Sequence, residues 1–403
     1  MGMSLDWLIV GTGMMGKIVA PIARQAGGNI VGVVGSREER VSAYLDAVNL
    51  PASTPIWTFD TYSNALADSG ANAVAVLSPN FMHKDMGVAA ARAGKHILME
   101  KPLATSLTDA QAFFDAAITA GIAAEVNSQY RHHEVFNEVA RLIASGEFGR
   151  PTYIRGQYLQ DWQMNATDGI GWRPEIPVAG RGKLVGDLGP HVLQTTLHLF
   201  GGEFVELTGT TFNVHPVRYK FKGGVESFGG KGVPSLSERP DLYESMDMLD
   251  GSKYSGDDIA RATFMLRTAA GAYVPGDYLL SQVHPGHKNK FTFELNFEKG
   301  KVYWDQEDPN HLVIAGPDGQ ERIYQRGSAP GIHGRPPGHP QGIGDSNLIE
   351  IERMQEVIAS NNPGRIRLYT ERNVGQAVQA MKMIEQWLSA PLIPLQNYQP
   401  AAK

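Results

Sequence analysis

The chain has 403 residues, a formal net charge of −6 and no cysteine. Without cysteine there can be no disulfide, thiolate nucleophile or cysteine-type zinc site, and a negative charge without any basic run argues against a nucleic-acid partner. No apolar run reaches the roughly 20 residues of a membrane helix, and the N-terminus lacks signal-peptide features. We therefore expect two or three globular domains, a cytoplasmic location and no membrane partner.

The first third of the chain alternates short apolar runs with segments of helical period. Helices are predicted at Asp85–Ala93 and at Leu107–Ala120, the latter with Ser106 as N-cap. The predicted strands are nearly continuous in apolar residues, as strands buried on both faces should be: Trp7–Val10, Ile30–Val34, Ala73–Leu77, His96–Met99 and Ile122–Val126. This alternation predicts an α/β Rossmann domain with a doubly wound parallel sheet over residues 1–127.

The pattern changes after about residue 127. A helix is predicted at Val135–Ser145 and another at about Arg372–Leu388, and the Gly- and Pro-rich stretches 221–254 and 326–345 are predicted to be long loops. From Val205 onward the predicted strands are longer, and apolar and polar residues alternate along them. The strand predictions in this part are Thr152–Tyr158, Ala260–Leu266, Ala272–Gln282, Lys290–Phe297, Lys301–Asp305, Leu312–Ala315 and Arg322–Tyr324. Residues 128–403 are therefore predicted to form an α+β domain with a large, mostly antiparallel sheet.

A glycine-rich loop follows the first strand, with the sequence Gly11-Thr12-Gly13-Met14-Met15-Gly16. It opens a predicted helix, Met15–Gln25, and a second strand follows. In such a loop the first glycine allows a tight turn, the second lets the backbone approach a pyrophosphate, and the third allows close helix–strand packing. The helix N-terminus then presents free N–H groups to the phosphates. This order of elements predicts a dinucleotide site rather than a turn without a ligand.

The end of the second strand bears on the choice of cofactor. An NAD site usually has Asp or Glu there to accept from the ribose 2′-hydroxyl, whereas this chain has Gly35-Ser36-Arg37. A guanidinium can pair with a 2′-phosphate, so NADP is preferred over NAD. The alternative is that Arg37 is a solvated residue at the start of the helix Glu38–Leu45.

Three further segments carry polar groups suited to cofactor chemistry. Ser78-Pro79-Asn80 and Glu100-Lys101-Pro102 each follow a predicted strand, where open α/β sheets bind ligands. In Gly186-Asp187-Leu188-Gly189-Pro190-His191 the acid and the histidine are four residues apart and share a face if the helix covers both. Pro190, however, suits the first turn of a helix that begins just before His191.

In this order and spacing, the four motifs resemble the glucose–fructose oxidoreductase / inositol dehydrogenase (Gfo/Idh/MocA) family. The resemblance implies that Lys101, Asp187 and His191 are catalytic and that Asn80 lies near the nicotinamide. It also implies an antiparallel C-terminal sheet that serves oligomerisation, and hence a homodimer or homotetramer. The predicted cofactor-binding residues are Gly11, Thr12, Gly13, Met14, Met15, Gly16, Ser36, Arg37, Ser78, Asn80, His83, Glu100 and Lys101.

The chemistry of alcohol oxidation explains these residue types. The cofactor takes the hydride, and the protein supplies a base near neutrality and a positive group beside the developing alkoxide. His191 suits the base, since the ordinary histidine pKa is about 6.5. Lys101 can stabilise the alkoxide or itself relay the proton, so the proton acceptor stays open between the two. Asp187 can orient His191 or bind a sugar hydroxyl.

The segment before the predicted catalytic helix resembles a branch of the family that acts on sugars. A Trp and an Asp suit a pyranose, although Trp162 can equally be a core residue. The predicted substrate-binding residues are Arg131, Asp161, Trp162, Trp172, Arg173, Asp187, His191 and His284, with His287 and His339 as further pocket candidates. His284 and His287 lack a third ligand in the sequence, so no metal is expected.

The leading functional hypothesis is an NAD(P)-dependent oxidoreductase that moves a hydride between a secondary hydroxyl of a sugar, cyclitol or glycoside and the nicotinamide. One alternative is a non-catalytic NAD(P)-binding regulator, which the presence of all three catalytic residues disfavours. Another is a sugar-acting enzyme of the same family that reduces a ketose or keto sugar, oxidises an aldose, or cleaves a glycoside through a transient keto sugar.

Overall fold

The computed structural model describes residues 4–168, 171–223, 235–326, 339 and 341–397. They form two compact units: the first contains residues 4–133 and Gln341–Met381, and the second contains the rest. The division predicted from the sequence, 1–127 and 128–403, follows chain order, whereas the first unit also takes in a C-terminal segment. None of the helices described in these ranges is long and apolar enough to cross a membrane.

Strands and helices alternate along the first unit, whereas strands dominate the second. The strands are β1 Asp6–Val10, β2 Asn29–Gly35, β3 Ile56–Thr58, β4 Ala73–Val76, β5 His96–Glu100, β6 Ala124–Asn127, β7 Pro151–Leu159, β8 Glu203–Asn213, β9 Val217–Phe221, β10 Tyr243–Asp247, β11 Ile259–Arg267, β12 Tyr273–Ser281, β13 Lys290–Phe297, β14 Gly300–Asp305, β15 His311–Ala315, β16 Glu321–Gln325 and β17 Ile393–Pro394. The helices are α1 Met14–Gln25, α2 Glu38–Ala47, α3 Tyr62–Asp68, α4 His83–Arg92, α5 Leu107–Ala120, α6 Val135–Ser145, α7 Ile176–Ala179, α8 Lys183–Phe200, α9 Ile343–Ala359 and α10 Pro363–Trp387.

The first unit contains a six-stranded parallel sheet in the order β3-β2-β1-β4-β5-β6. Every residue of β4 and β6 is buried, which explains the continuous apolar character of β4. The predicted α/β fold is confirmed, with element ends within two residues of prediction, although the short β3 and α3 were missed. Ser106 caps α5 as predicted by accepting from the Asp109 N–H at 3.1 Å.

The C-terminal helix α9 and the part of α10 up to Met381 complete this first unit. Ile351 and Met354 of α9 belong to the same apolar core as Trp7 and Val33. Thr370 of α10 accepts from the Ala124 N–H at 3.0 Å and donates to the Ile122 carbonyl at 2.8 Å. The helix predicted at Arg372–Leu388 in fact begins at Pro363, and α9 begins inside the stretch predicted to be a loop. Proline suits a first helical position, but the charged residues after it concealed the apolar face.

The second unit contains a nine-stranded sheet in the order β16-β15-β14-β13-β7-β12-β11-β8-β17. The β7–β12 and β8–β17 pairs are parallel and the remaining pairs are antiparallel. Alternate residues of β11 are buried, as expected for a sheet with one covered face, and α8 packs against β7, β11 and β12. The predicted mostly antiparallel α+β domain is confirmed.

The stretch 221–254 is not entirely a loop, contrary to prediction. β10 pairs in antiparallel register with β9, from Tyr243 opposite Phe221 to Asp247 opposite Val217. Met246 is buried against Met248 and Tyr254, and this small apolar cluster stabilises the strand. The parts of the two predicted loops at 224–234, 327–338 and 340 lie outside the described residues.

Candidate active site

The glycine-rich loop is tightly packed on its inner side and open on its outer side. Gly11 has a φ of 116°, and a Cβ there would lie 2.3 Å from the Leu77 carbonyl oxygen. A Cβ on Gly16 would lie 2.2 Å from the Gly11 carbonyl oxygen, whereas one on Gly13 would meet nothing within 4 Å. The predicted roles of the first and third glycines therefore match their surroundings, and the backbone is approachable at Gly13.

The start of α1 is suited to an anion. Gly13 is its N-cap, with no side-chain cap and no acidic residue in the first turn, so the early N–H groups are not taken by the helix's own side chains. The Tyr44 hydroxyl donates to the Gly16 carbonyl at 2.7 Å and ties α2 to this loop, and burial raises the pKa of Tyr44. Together these residues fit the pyrophosphate of a dinucleotide.

Ser36 and Arg37 follow the carboxyl end of β2, and both are exposed. Arg37 is the N-cap of α2, whose first turn contains Glu38 and Glu39. No carboxylate occupies the strand-end position that would meet a ribose 2′-hydroxyl in an NAD site. A guanidinium is present there instead.

His83 lies at the start of α4 and is completely buried. Its Nδ1 is 2.8 Å from the Pro102 carbonyl oxygen and its Nε2 is 2.9 Å from the Ser78 carbonyl oxygen. The ring was predicted to bind the cofactor, but it has no exposed surface and instead joins the loops after β4 and β5. Burial lowers the pKa of the imidazole, while the carbonyl oxygens of Pro102 and Ser78 oppose that effect.

We expect His83→Ala to lower the free energy of unfolding by about 1–3 kcal/mol, because a buried carbonyl oxygen loses the single N–H donor of the neutral imidazole. Cofactor binding should weaken as well, since the loops after β4 and β5 lose their connection. Denaturant unfolding and a fluorescence titration with NADPH measure the two effects. His96→Ala is the matched control, because His96 accepts from the Ala123 N–H at the opposite end of β5. Equal loss of cofactor affinity in both variants would contradict this role.

Glu100 and Lys101 end β5 and follow it directly. Glu100 is 8% exposed, and it accepts from the Asn127 side-chain amide at 2.8 Å. Lys101 is half-buried, and its peptide bond to Pro102 is cis. Because β1, β2, β4 and β5 are parallel, the glycine-rich loop, Ser36, Arg37, Ser78, Asn80 and Lys101 all lie at the carboxyl edge of one sheet.

In the second unit, α8 begins at Lys183, earlier than the predicted start just before His191. The Ser255 Oγ accepts from the Gly182 and Lys183 N–H groups at 2.7 and 3.1 Å. The Asp257 Oδ2 accepts from the Leu184 and Val185 N–H groups at 3.0 and 2.9 Å. These caps come from a distant loop, so local sequence could not reveal them. Pro190 consequently lies inside the helix rather than in its first turn.

Asp187 and His191 are therefore both helical and lie one turn apart on the same face of α8. Asp187 is half-buried, and its Oδ2 accepts from the Gln282 side-chain amide at 2.8 Å. His191 is 3% exposed, and its ring meets the Tyr158 ring edge-on at 5.7 Å. The structure thus brings these two predicted residues together.

The predicted sugar-binding side chains are also in the second unit. The Arg173 guanidinium lies 5.7 Å from the centre of the Trp162 ring and 5.5 Å from that of Trp172, so it contacts both indoles. The Asp161 carboxylate pairs with the Lys288 Nζ at 2.7 Å. The His284 and His287 rings stack at 5.1 Å, and partial burial lowers the pKa of His284. His339 is exposed.

Arg131, by contrast, is not placed to receive a substrate. Its side chain is completely buried and pairs with Glu125 in the first unit, so its predicted substrate-binding role is corrected. The Tyr369 hydroxyl also donates to Glu125. The fully buried acid that pairs with Arg131 is a single charge in an otherwise apolar segment, and the sequence does not identify its partner.

The surroundings of Arg131 include a candidate cation site. Glu125, His132 and Glu350 bring potential ligand atoms within 4.8 Å of one another. Arg353 lies 3.1 Å from the His132 Nδ1 and can only donate, so that nitrogen accepts and the proton is on Nε2. With Nε2 protonated and Glu125 paired to Arg131, the arrangement favours a buried ion network over a metal centre. Burial raises the pKa of Glu350, and the nearby Glu125 raises it further.

The residues that sequence reasoning missed are those that support α8. They include Gln163, Lys183, Asp258 and Gln282, which are all buried. Their only sequence signal is a polar residue in an otherwise apolar context, and that signal does not identify a partner.

Family models match both parts of the chain. Residues 5–128 match an oxidoreductase-family NAD-binding Rossmann fold, and residues 136–303 match a GFO/IDH/MocA C-terminal domain. Among curated proteins, levoglucosan dehydrogenase of Pseudarthrobacter phenanthrenivorans is 27% identical over 347 residues, covering 82% of this chain and 83% of the relative. D-xylose 1-dehydrogenase (NADP(+)) 2 of Haloferax volcanii is 37% identical over 139 residues, covering 34% of this chain and 41% of the relative.

Solved structures show the same fold. Levoglucosan dehydrogenase in complex with NADH and L-sorbose superimposes with a TM-score of 0.73 at 23% identity, covering 94% of this chain and 98% of that one. An inositol dehydrogenase homologue from Azotobacter vinelandii, complexed with NADH and myo-inositol, gives a TM-score of 0.73 at 20% identity, covering 95% of this chain and 94% of that one. Both domain models and the motif residues indicate the same family. The chain belongs to the GFO/IDH/MocA oxidoreductase family.

Proposed function

We propose that this protein is an NADP-dependent dehydrogenase that oxidises a secondary hydroxyl of a sugar, cyclitol or glycoside to a ketone, reversibly. The observation that carries the proposal is the Asp187–His191 pair on one face of α8, in a chain whose first unit has an open glycine-rich loop and Lys101 at a strand end. Such an acid–histidine–lysine set supplies the proton transfer and charge stabilisation that alcohol oxidation requires.

The proposed roles follow from the chemistry of each side chain. When bound, NADP supplies the hydride acceptor. His191 takes the hydroxyl proton, Lys101 stabilises the oxygen as negative charge develops on it, and Asp187 orients His191 or a neighbouring hydroxyl. A sugar panel assayed by NADPH formation tests the activity, and absence of turnover with every sugar and cyclitol would contradict it.

The substrate class is supported by relatives and by the aromatic side chains of the second unit. The relatives include levoglucosan, xylose and inositol dehydrogenases and a 1,5-anhydro-D-fructose reductase. Trp162 and Trp172 can offer flat apolar surface to a pyranose, and Asp161 a carboxylate to its hydroxyls. Assays in both directions separate this proposal from ketose reduction and aldose oxidation, since the products differ.

The preference for NADP rests on Arg37. We expect Arg37→Ala to raise the KM for NADP by about 10- to 100-fold, because a charge-assisted pair with the 2′-phosphate is lost. The KM for NAD should change little, since NAD lacks that phosphate. Steady-state kinetics with both cofactors measure this difference.

Arg40→Ala is the matched control for this experiment, because Arg40 is an exposed arginine on the same helix. An unchanged NADP preference in Arg37→Ala, or an equal change in Arg40→Ala, would refute the assignment of Arg37.

We further propose that the protein is a cytoplasmic homodimer or homotetramer that associates through the second-unit sheet. Alternate residues of β11 and β12 leave Arg261, Thr263 and Pro275 exposed on one face. Such a face of a large antiparallel sheet can pair with the same face of a second copy.

A further inference from the structure

One face of α8 carries three polar residues at intervals of four: Lys183, Asp187 and His191. Two glutamines contact this face on successive turns. Gln163 accepts from the Lys183 Nζ at 2.6 Å, and Gln282 donates to the Asp187 Oδ2 at 2.8 Å. Asp187 needs a donor and Lys183 needs an acceptor, and each is thus matched by one end of an amide.

The two glutamines are adjacent because their strands are. β7 and β12 are parallel neighbours, with Leu159 opposite Ser281, so the segments that follow them leave the sheet side by side. The Gln163 N–H donates to the Gln282 carbonyl at 3.1 Å. Both side chains are completely buried, and their positions therefore depend on the sheet rather than on solvent.

The charged partners determine which way each amide points. Only an NH2 group can donate to the Asp187 carboxylate, and only an oxygen can accept from the Lys183 ammonium. Among the described residues, the Gln282 Oε1 and the Gln163 Nε2 have no hydrogen-bond partner. A buried amide with one end unsatisfied costs free energy. In each glutamine the hydrogen bond to the charged partner offsets that cost.

We propose that Gln282 is a positioning residue for the reaction: its amide holds the Asp187 carboxylate ionised and in a fixed plane on the His191 face of α8. This inference rests on the proposed function, because it assumes that Asp187 serves the chemistry. Gln163 is buried against the same face of α8, but its side chain accepts from Lys183 rather than contacting Asp187. The Asp258 carboxylate also binds Lys183, at 2.8 Å. The two glutamines therefore share burial and location and differ in whether they contact Asp187.

The experiment compares Gln282→Met with Gln163→Met. Methionine keeps the length of the side chain and removes its polar atoms. We expect Gln282→Met to lower kcat/KM by about tenfold and to move the acid limb of its pH profile to higher pH, since a carboxylate without its donor retains a proton longer. Gln163→Met should lower the Tm while leaving the shape of the pH profile unchanged.

Gln282→Glu provides a second signature. A carboxylate at this position repels Asp187, whereas a protonated carboxyl can donate to it. We therefore expect the activity of Gln282→Glu relative to the wild type to rise as pH falls. Unshifted profiles in Gln282→Met and Gln282→Glu, or the same shift in Gln163→Met, would overturn the proposal.

A readout without turnover separates this inference from the proposed function. The wild type, Gln282→Met and Gln163→Met are labelled with 13C-aspartate, and Asp187→Asn identifies the signal of Asp187. A titration shift of that signal in Gln282→Met alone supports the positioning role, and its absence refutes it. A wild-type protein inactive on every sugar would instead count against the proposed function, whatever the titration shows.

Discussion

Lys101→Met is expected to lower kcat/KM by about 10²- to 10⁴-fold, and His191→Asn by a similar factor. General acid–base catalysis and stabilisation of a developing oxyanion each contribute on that scale. The loss should appear mainly in kcat, because both groups act on charge that develops only as the hydroxyl proton leaves. Steady-state kinetics with the preferred sugar, together with NADPH binding by fluorescence, separate the chemical step from cofactor affinity.

Lys95→Met is the matched control for the lysine. Lys95 precedes the same strand, and its Nζ donates to the Ala71 carbonyl at 2.7 Å, so its loss affects stability rather than chemistry. The double variant Lys101→Met/His191→Asn should lose less than the product of the two single effects, because residues that act as a unit are not additive. Full activity in either single variant would show that its residue has no part in the reaction.

Asp258→Asn is expected to destabilise the protein by about 3–5 kcal/mol, the usual cost of breaking a buried ion pair from one side. The Asp258 Oδ1 binds the Lys183 Nζ at 2.8 Å and the Arg218 Nη2 at 2.9 Å, and both cations are completely buried. Its Oδ2 accepts from the Val214 and His215 N–H groups at 2.8 and 3.0 Å. An amide removes the counter-charge that the two buried cations share, and chemical denaturation measures the loss.

The same carboxylate predicts how stability depends on pH. Burial opposes ionisation of Asp258, but Lys183 and Arg218 outweigh burial and hold the pKa of its carboxyl well below the ordinary value. Since the pKa is lower in the folded state, the stabilisation is complete above roughly pH 4 and is lost as the pH falls further. The acid-induced loss of stability should therefore be smaller in Asp258→Asn.

Asp241→Asn is the control, because Asp241 pairs with Arg239 at the exposed surface and such pairs contribute little. If Asp258→Asn were as stable as Asp241→Asn, the buried network would have no net role in stability.

Much of the fold was predictable because the relevant signals are local. The apolar strands β1, β4 and β5 and the capped helix α5 are each recognisable within a few residues. The glycine-rich loop was predictable for the same reason, since its three glycines fall within six residues that follow β1 and open α1. β10 was not predicted because Met246 is the only buried residue of the strand, and the start of α9 was not predicted because glycine and proline precede it.

The site was only partly predictable because its supports come from distant segments. Asp187 and His191 were found by their motif, yet the start of α8 depends on Ser255 and Asp257, whose side-chain bonds cannot be read from either segment. Arg131 was predicted to bind substrate, whereas its side chain is buried in the first unit. Its true partner, Glu125, lies within an apolar strand where an acid has no local explanation.

The contribution of α9 and α10 to the first unit affects how the protein can be made. During synthesis, residues 4–133 leave the ribosome long before Gln341–Met381. The first unit therefore cannot be completed until most of the chain has been made and Thr370 can bond to the backbone of Ala124 and Ile122. During that interval the apolar core residues that α9 later covers, including Trp7, are exposed to water and to chaperones. A fragment ending at residue 127 would retain that exposure permanently, and expression of the nucleotide-binding half by itself is expected to give aggregates.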